Sequence, residues 1–151
     1  MAVNPIPIKG VIPYLSCRNA AEAIEFYKRA FAAVETMRMA GPDGKIGHAE
    51  LLIGDAHVYL ADEHPEINFL SPQSRGGAGL TLHMYVPDVD AFFTRAEAAG
   101  AKIVRPLADQ FYGDRQGMLE DPYGHVWSFA THIEDVSPEE MDRRARETHG
   151  G

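Results

Sequence analysis

The sequence predicts an α+β fold of two tandem βαβββ modules, and three observations carry the prediction. Apolar residues alternate, then fall at 3-4 spacing, then alternate again, and this order occurs twice. A polar stretch at 62–79, punctuated by Pro65, Pro72 and several glycines, separates the two runs. Local similarities also recur between the halves. Ala56-His57-Val58-Tyr59 parallels Gly124-His125-Val126-Trp127, and Lys28-Arg29-Ala30 parallels Thr94-Arg95-Ala96. The 151 residues are expected to form a single domain with modules at about 8–62 and 79–132, a connector at 63–78 and a short C-terminal tail helix at about 138–147.

Each element has a local reason. Val11–Ser16 reads as the first strand. Asn19 can cap the following helix, and Glu22 stands where a capping box places its acid. Ala23, Ile24, Tyr27, Ala30 and Phe31 then form one apolar stripe, carrying the helix to about Ala33. Val34–Met39, His48–Ile53 and His57–Ala61 read as strands, divided by the turn signals Gly41-Pro42-Asp43-Gly44 and Gly54-Asp55. In the second module Leu80–Val86 is a strand. Pro87-Asp88 opens a helix over Val89–Ala99, and Gly100 stops it. Ile103–Leu107, Gln116–Leu119 and Val126–Ala130 follow as strands, the last two joined by the turn Asp121-Pro122-Tyr123-Gly124. Ser137, Pro138 and Glu140 supply the cap, first residue and capping box of the tail helix.

Composition narrows the function classes. The formal net charge of −8 argues against a nucleic-acid partner, which requires a basic face. No run approaches 18 apolar residues, so no membrane span is expected, and the first nine residues do not resemble a signal peptide. The expected location is the cytoplasm. The lone Cys17 allows no internal disulfide and has no nearby activating partner in the sequence. Walker, dinucleotide and nucleophile-elbow motifs are absent, and Gly76-Gly77-Ala78-Gly79 precedes a strand, where it would not serve phosphate.

Several segments resemble the vicinal-oxygen-chelate superfamily of glyoxalases, bleomycin-resistance proteins and dioxygenases, within it the PhnB-like branch. They are Pro13-Tyr14-Leu15-Ser16 before Ala23-Ile24-Glu25-Phe26-Tyr27, His48-Ala49-Glu50-Leu51 with Ile53-Gly54-Asp55, and Tyr112-Gly113-Asp114-Arg115 with Glu120-Asp121-Pro122-Tyr123-Gly124-His125. The resemblance covers roughly residues 8–132. It implies that the two sheets form an open cup with helices on the outer face, that a small molecule sits inside, and that a homodimer is the expected assembly.

Period-two alternation selects the side chains facing the cup. They are Ile12, Tyr14 and Ser16; His48 and Glu50; His57 and Tyr59; Thr81, His83 and Tyr85; and Val126, Ser128 and Ala130. Tyrosine offers an apolar face and a hydrogen-bonding tip, so Tyr14, Tyr59, Tyr85 and Tyr112 suit an aromatic or heterocyclic ligand. The expected ligand-binding set is Tyr14, His48, Glu50, His57, Tyr59, Thr81, His83, Tyr85 and Ser128.

Metal-dependent members of the superfamily draw one His or Glu from each of four strands. The resemblance puts Ile12, Thr81 (with His83 one inward step along) and Ser128 at three of those places, with Glu50 as the match at the fourth. Ile has no lone pair, and Thr and Ser are weak ligands beside His and Glu. The leading expectation is therefore a cofactor-free binder of a small amphipathic or aromatic molecule. One alternative is a metal-dependent lyase or isomerase resembling glyoxalase, its divalent ion held by Glu50 with His48, His57 or His83 and acting as a Lewis acid. Another is a metal-free enzyme with His83 or His48 as general base. His83 and Glu50 are the catalytic candidates. Asp114-Arg115 reads either as a gate or as a surface ion pair. His125 reads as a hydrogen-bonding residue, and His64, His132 and His149 as exposed.

Overall fold

The computed structural model describes residues 2–149; the side chain of His149 lies outside the described residues. Each module forms a four-stranded sheet. The first contains β1 (Tyr14–Cys17), β2 (Val34–Ala40), β3 (Ile46–Ile53) and β4 (Ala56–Asp62), in spatial order β1-β4-β3-β2. The second contains β5 (Thr81–Tyr85), β6 (Lys102–Asp109), β7 (Asp114–Glu120) and β8 (Val126–His132), in the matching order β5-β8-β7-β6. In each sheet the first and last strands pair parallel and the others antiparallel. Helices α1 (Ala20–Phe31) and α3 (Val89–Ala99) provide the crossovers. The connector carries a 3-10 turn at Pro65–Ile67 and the short α2 (Pro72–Arg75), and α4 (Pro138–His149) ends the described chain.

The two modules repeat in register. Tyr14 pairs with Tyr59 in the first sheet and His83 with Ser128 in the second, and the same step along the chain relates Tyr14 to His83 and Tyr59 to Ser128. Hairpin β3–β4 turns on Gly54 at φ 59°, a left-handed conformation that suits the twist of the strands.

The core lies between the sheets and helices α1 and α3, which also pack on each other. Phe31 sits at its centre, stacked on Phe92 at 5.6 Å and edge-on to Trp127 at 4.9 Å, with Phe129 at 5.0 Å. It therefore joins both helices to β8, and cutting it to Ala would cost about 3–5 kcal/mol. Arg95 of α3 donates to the carbonyls of Arg29 and Lys28 at the end of α1, at 2.6 and 3.2 Å. These carbonyls have no partner within their own helix, so the contact caps α1 and joins the modules.

Two buried aspartates hold the corners. Asp62 accepts from the backbone N–H groups of Ala20 and Ile46, fixing the start of α1 against the entry to β3. Asp121 accepts four hydrogen bonds: Tyr27 Oη at 2.5 Å, Trp127 Nε1 at 2.9 Å, and the backbone N–H groups of Tyr123 and His125. The Asp-Pro-Tyr-Gly motif is thus a structural tie between α1 and the β7–β8 turn. His125 Nε2 donates across the modules to the Ser16 carbonyl at 3.0 Å, in the hydrogen-bonding role expected of it.

Some expectations need correction. The first strand begins at Tyr14, not Val11, and Val11 is 96% exposed. Pro5, Pro7 and Pro13 remove backbone donors from this segment. The pairing with β4 begins where Tyr59 N donates to Pro13 O. Asp114 and Arg115 open β7, so the strand expected over Gln116–Leu119 starts two residues earlier. Ser128 and Ala130 are buried, covered by their neighbours instead of lining open space. Ser137 does cap α4 through Glu140 N, but the Glu140 carboxylate turns to Arg143 and Arg144, so the capping box stays open.

Candidate functional site

The side chains on the sheet faces turned away from the helices form three polar groups. On the first sheet, parallel pairing brings Tyr14 beside Tyr59, and antiparallel pairing puts Glu50 opposite Tyr59. His48 lies two residues before Glu50 on the same face. Tyr14 Oη and His48 Nδ1 are 2.5 Å apart, and His48 Nε2 and Glu50 Oε2 are 3.1 Å apart. A carboxylate only accepts, so Nε2 carries the imidazole proton and Nδ1 accepts from the Tyr14 hydroxyl. The result is a one-directional chain, Tyr14 to His48 to Glu50. Rings brace it edge-on, with Tyr59 at 5.8 Å and Phe69 at 5.4 Å from Tyr14. Burial, then the Glu50 charge, then Tyr59 raise the Tyr14 pKa, so its hydroxyl holds its proton.

On the second sheet, Tyr112 donates to Gln116 Oε1, Gln116 Nε2 donates to Ser128 Oγ at 2.6 Å, and Ser128 Oγ lies 2.9 Å from His83 Nδ1. Ser128 Oγ thus accepts from Gln116 and shares a hydrogen bond with His83 Nδ1, whose direction follows the His83 tautomer. A third group lies beyond it. Tyr85 Oη donates to Asp114 Oδ2 at 2.8 Å, and His132 reaches Asp114 at 2.8 Å and Asp135 at 2.7 Å. Hydrogen bonds to Asp114 and then Asp135 raise the His132 pKa. Arg115 instead pairs with Asp90 and Asp109, the surface ion-pair reading of that residue.

Two cavities draw their walls from both modules, beside β1 and β5. The larger, about 480 Å³, takes His57 and Tyr59 from the first module and Leu82, His83 and Met84 from the second, with Trp127 behind them. Ile12 lines it from the segment preceding β1. The smaller, about 310 Å³, takes Tyr14, Ser16 and Leu82 together with Phe69, Leu70 and Arg75 of the connector. The nine expected binding residues therefore do not converge on one point. Tyr14, His48, Glu50 and Tyr59 form one cluster; His83 and Ser128 form another; His57, Tyr59 and His83 meet at the larger cavity. Tyr85 joins Asp114, and Thr81 is exposed. Sequence reasoning missed Phe69, Arg75 and Gln116. Phe69 and Arg75 lie in a stretch whose composition reads only as a linker. Gln116 falls at the inward step of a strand, a parity signal that could have found it.

The donor set does not fit a divalent ion. One inward residue from the first and last strands of each module gives Tyr14, Tyr59, His83 and Ser128, with a single imidazole and no carboxylate. His48 has both ring nitrogens engaged, and among the described residues no three His, Cys, Asp or Glu side chains gather around a common point.

Comparison with known proteins supplies the family. An uncharacterised protein of Mycobacterium bovis is 44% identical over 93% of this chain and 93% of its own length. The crystal structure of TioX from Micromonospora sp. ML1 is 28% identical, covers 85% of this chain and 100% of that one, and superposes with a TM-score of 0.65. The X-ray structure of an Arabidopsis thaliana gene product is 25% identical, covers 82% and 99%, and has a TM-score of 0.66. The profile of the glyoxalase/bleomycin resistance protein/dioxygenase superfamily matches residues 11–129, and the chain belongs to that superfamily.

Proposed function

We propose that the protein binds a small amphipathic aromatic molecule in the larger cavity, without a resident metal ion, and works as a homodimer. The observation that carries this reading is the cavity wall itself. His57 and Tyr59 from one module face His83 from the other, over the apolar side chains of Leu82, Met84 and Trp127. Its volume of about 480 Å³ lies within the range of ordinary ligand pockets. Trp127 is the only tryptophan, which makes its fluorescence a direct reporter. Titration with a panel of single- and fused-ring amphiphiles should give saturable quenching and a raised melting temperature. Tyr59→Ala and His83→Ala should each weaken binding about tenfold or more, equivalent to about 1.4 kcal/mol. A panel without one saturable response overturns the reading.

The metal-free part of the proposal rests on the donor chemistry. A melting shift with Ni²⁺, Zn²⁺ or Mn²⁺ that vanishes in Glu50→Gln would overturn it in favour of a metal-dependent lyase or isomerase. Exposed apolar groups support the homodimer: Ile6 and Ile8 in the amino-terminal arm are 87% and 101% exposed, and Met39, Tyr85 and Val104 lie bare on the sheets. Sedimentation should show two chains per particle. Within the superfamily we read the chain as PhnB-like, on the segments Tyr112–Arg115 and Glu120–His125.

A further inference from the structure

The larger cavity is bounded by backbone as well as by side chains, and part of that backbone is left open. On β4, Tyr59 N–H donates to the Pro13 carbonyl and Glu63 N–H to the Cys17 carbonyl. In a parallel ladder every second residue bonds to the same neighbour, so the odd-numbered residues of β4 turn their N–H and C=O groups toward β1. His57 is the next of them toward the start of the strand. The donor that would reach its carbonyl belongs to position 13, and Pro13 has no N–H. The acceptor its own N–H would need is the Val11 carbonyl, which lies ahead of the start of β1 and makes no such bond. One proline thus leaves both backbone groups of His57 open.

Strand β5 supplies a second open edge. It ends its sheet and pairs with β8 alone. Val86 N–H donates to the Ala130 carbonyl, so the even-numbered residues of β5 bond to β8, and Thr81, His83 and Tyr85 turn their backbone groups outward. His57 and His83 both line the larger cavity, one from each module. Among the described residues nothing pairs with the outward backbone groups of either.

We propose that the molecule bound in the larger cavity is peptide-like: a short aromatic chain of secondary amides, held as an added strand segment against the open backbone of His57 and His83. This rests on the binding function proposed above and names its ligand class. An extended residue turns its own N–H and C=O to one side and the flanking carbonyl and N–H to the other, so two successive amides can meet both edges. Main-chain pairing of this kind supplies affinity, and the surface under each side chain supplies selection. Here Leu82, Met84 and Trp127 are the apolar surface for a ring. Aromatic alcohols and acids offer no such alternation of donor and acceptor.

The test compares N-acetyl-phenylalanine methylamide, which carries two secondary amides and one ring, with its doubly N-methylated form, which keeps the ring and both carbonyls and has no N–H. Quenching of Trp127 in the full chain gives both affinities. The secondary amide should bind about tenfold or more tighter, since the control loses two hydrogen bonds. Its addition to the wild type should also slow exchange of the His57 and His83 amide protons, followed by NMR. Pro13→Ala supplies the missing donor to the His57 carbonyl and lengthens β1, and should cut the ratio of the two affinities about threefold or more. Equal affinities in the wild type, unslowed exchange at His57 or His83, or a ratio that Pro13→Ala leaves intact overturns the proposal. Should that variant fail to fold, the wild-type affinities and exchange decide alone. Amide-free aromatic amphiphiles that saturate Trp127 while the two amides bind alike would remove this proposal and leave the binding function standing; no response to either set removes both.

Discussion

Asp121→Asn should be among the most damaging single-atom changes available to this protein. The carboxylate is 3% exposed and accepts from four donors, two on each oxygen. An amide replaces one acceptor oxygen by a donor NH₂. Turned one way, it faces Tyr27 Oη and the Trp127 indole N–H; turned the other, it faces two backbone N–H groups. The Tyr27 hydroxyl can rotate and accept, but an indole or backbone N–H cannot. At least one buried donor is left unsatisfied, costing about 1–3 kcal/mol, and the remaining bonds lose their charge assistance at about 1 kcal/mol each. The sum is about 3–5 kcal/mol, a large part of the roughly 5–15 kcal/mol that holds a domain folded. Urea denaturation followed by far-ultraviolet circular dichroism measures it without depending on Trp127, whose emission the substitution itself disturbs. In thermal terms the loss is about 10 °C in Tm for a chain of this length. A loss below about 1 kcal/mol would refute the assignment of Asp121 as the tie between α1 and the β7–β8 turn.

Two further outcomes are expected. Gly113→Ala should destabilise by about 3 kcal/mol or more in the same denaturation assay, because Gly113 has φ 97° and a Cβ there would sit 2.1 Å from the Glu134 carbonyl oxygen. Asp114 and Asp135 raise the His132 pKa, so the stabilisation from its charged form is full below about pH 6.5 and is lost as pH rises through the folded-state pKa. His132→Gln should flatten that part of the pH–stability curve, and an unchanged curve would show that the exposed ring contributes nothing measurable.

Much of the fold was legible because local signals agreed with one another. Helix α3 runs over the expected Val89–Ala99, since Asp88 caps it through Ala91 N and Gly100 takes a positive φ that ends it. Strand β6 was read too short, ending at Leu107 instead of Asp109. Pro106 falls between register shifts on this edge strand, where a missing N–H breaks no ladder bond. Parity alone placed Tyr14, His48, Glu50 and Tyr59 on one face. It could not join them, because the Tyr14–His48 bond depends on rotamers and on two strand pairings distant in the chain. The connector residues Phe69 and Arg75 were invisible for a different reason. They act by folding back over β1, where Ser16 Oγ donates to the Phe69 carbonyl, and no periodicity records such a return.

The helix layer also sets an aperture. The larger cavity has one wall on each module, and the modules are clasped from behind by Phe31 against Phe92 and by Arg95 on the end of α1. A change in the thickness of that clasp should swing the two sheets like the jaws of a caliper and alter the gap between Tyr59 and His83. On the proposed binding function, ligand size should therefore respond to substitutions in the dry interior at Phe31 and Phe92, one side chain behind the cavity wall at Trp127.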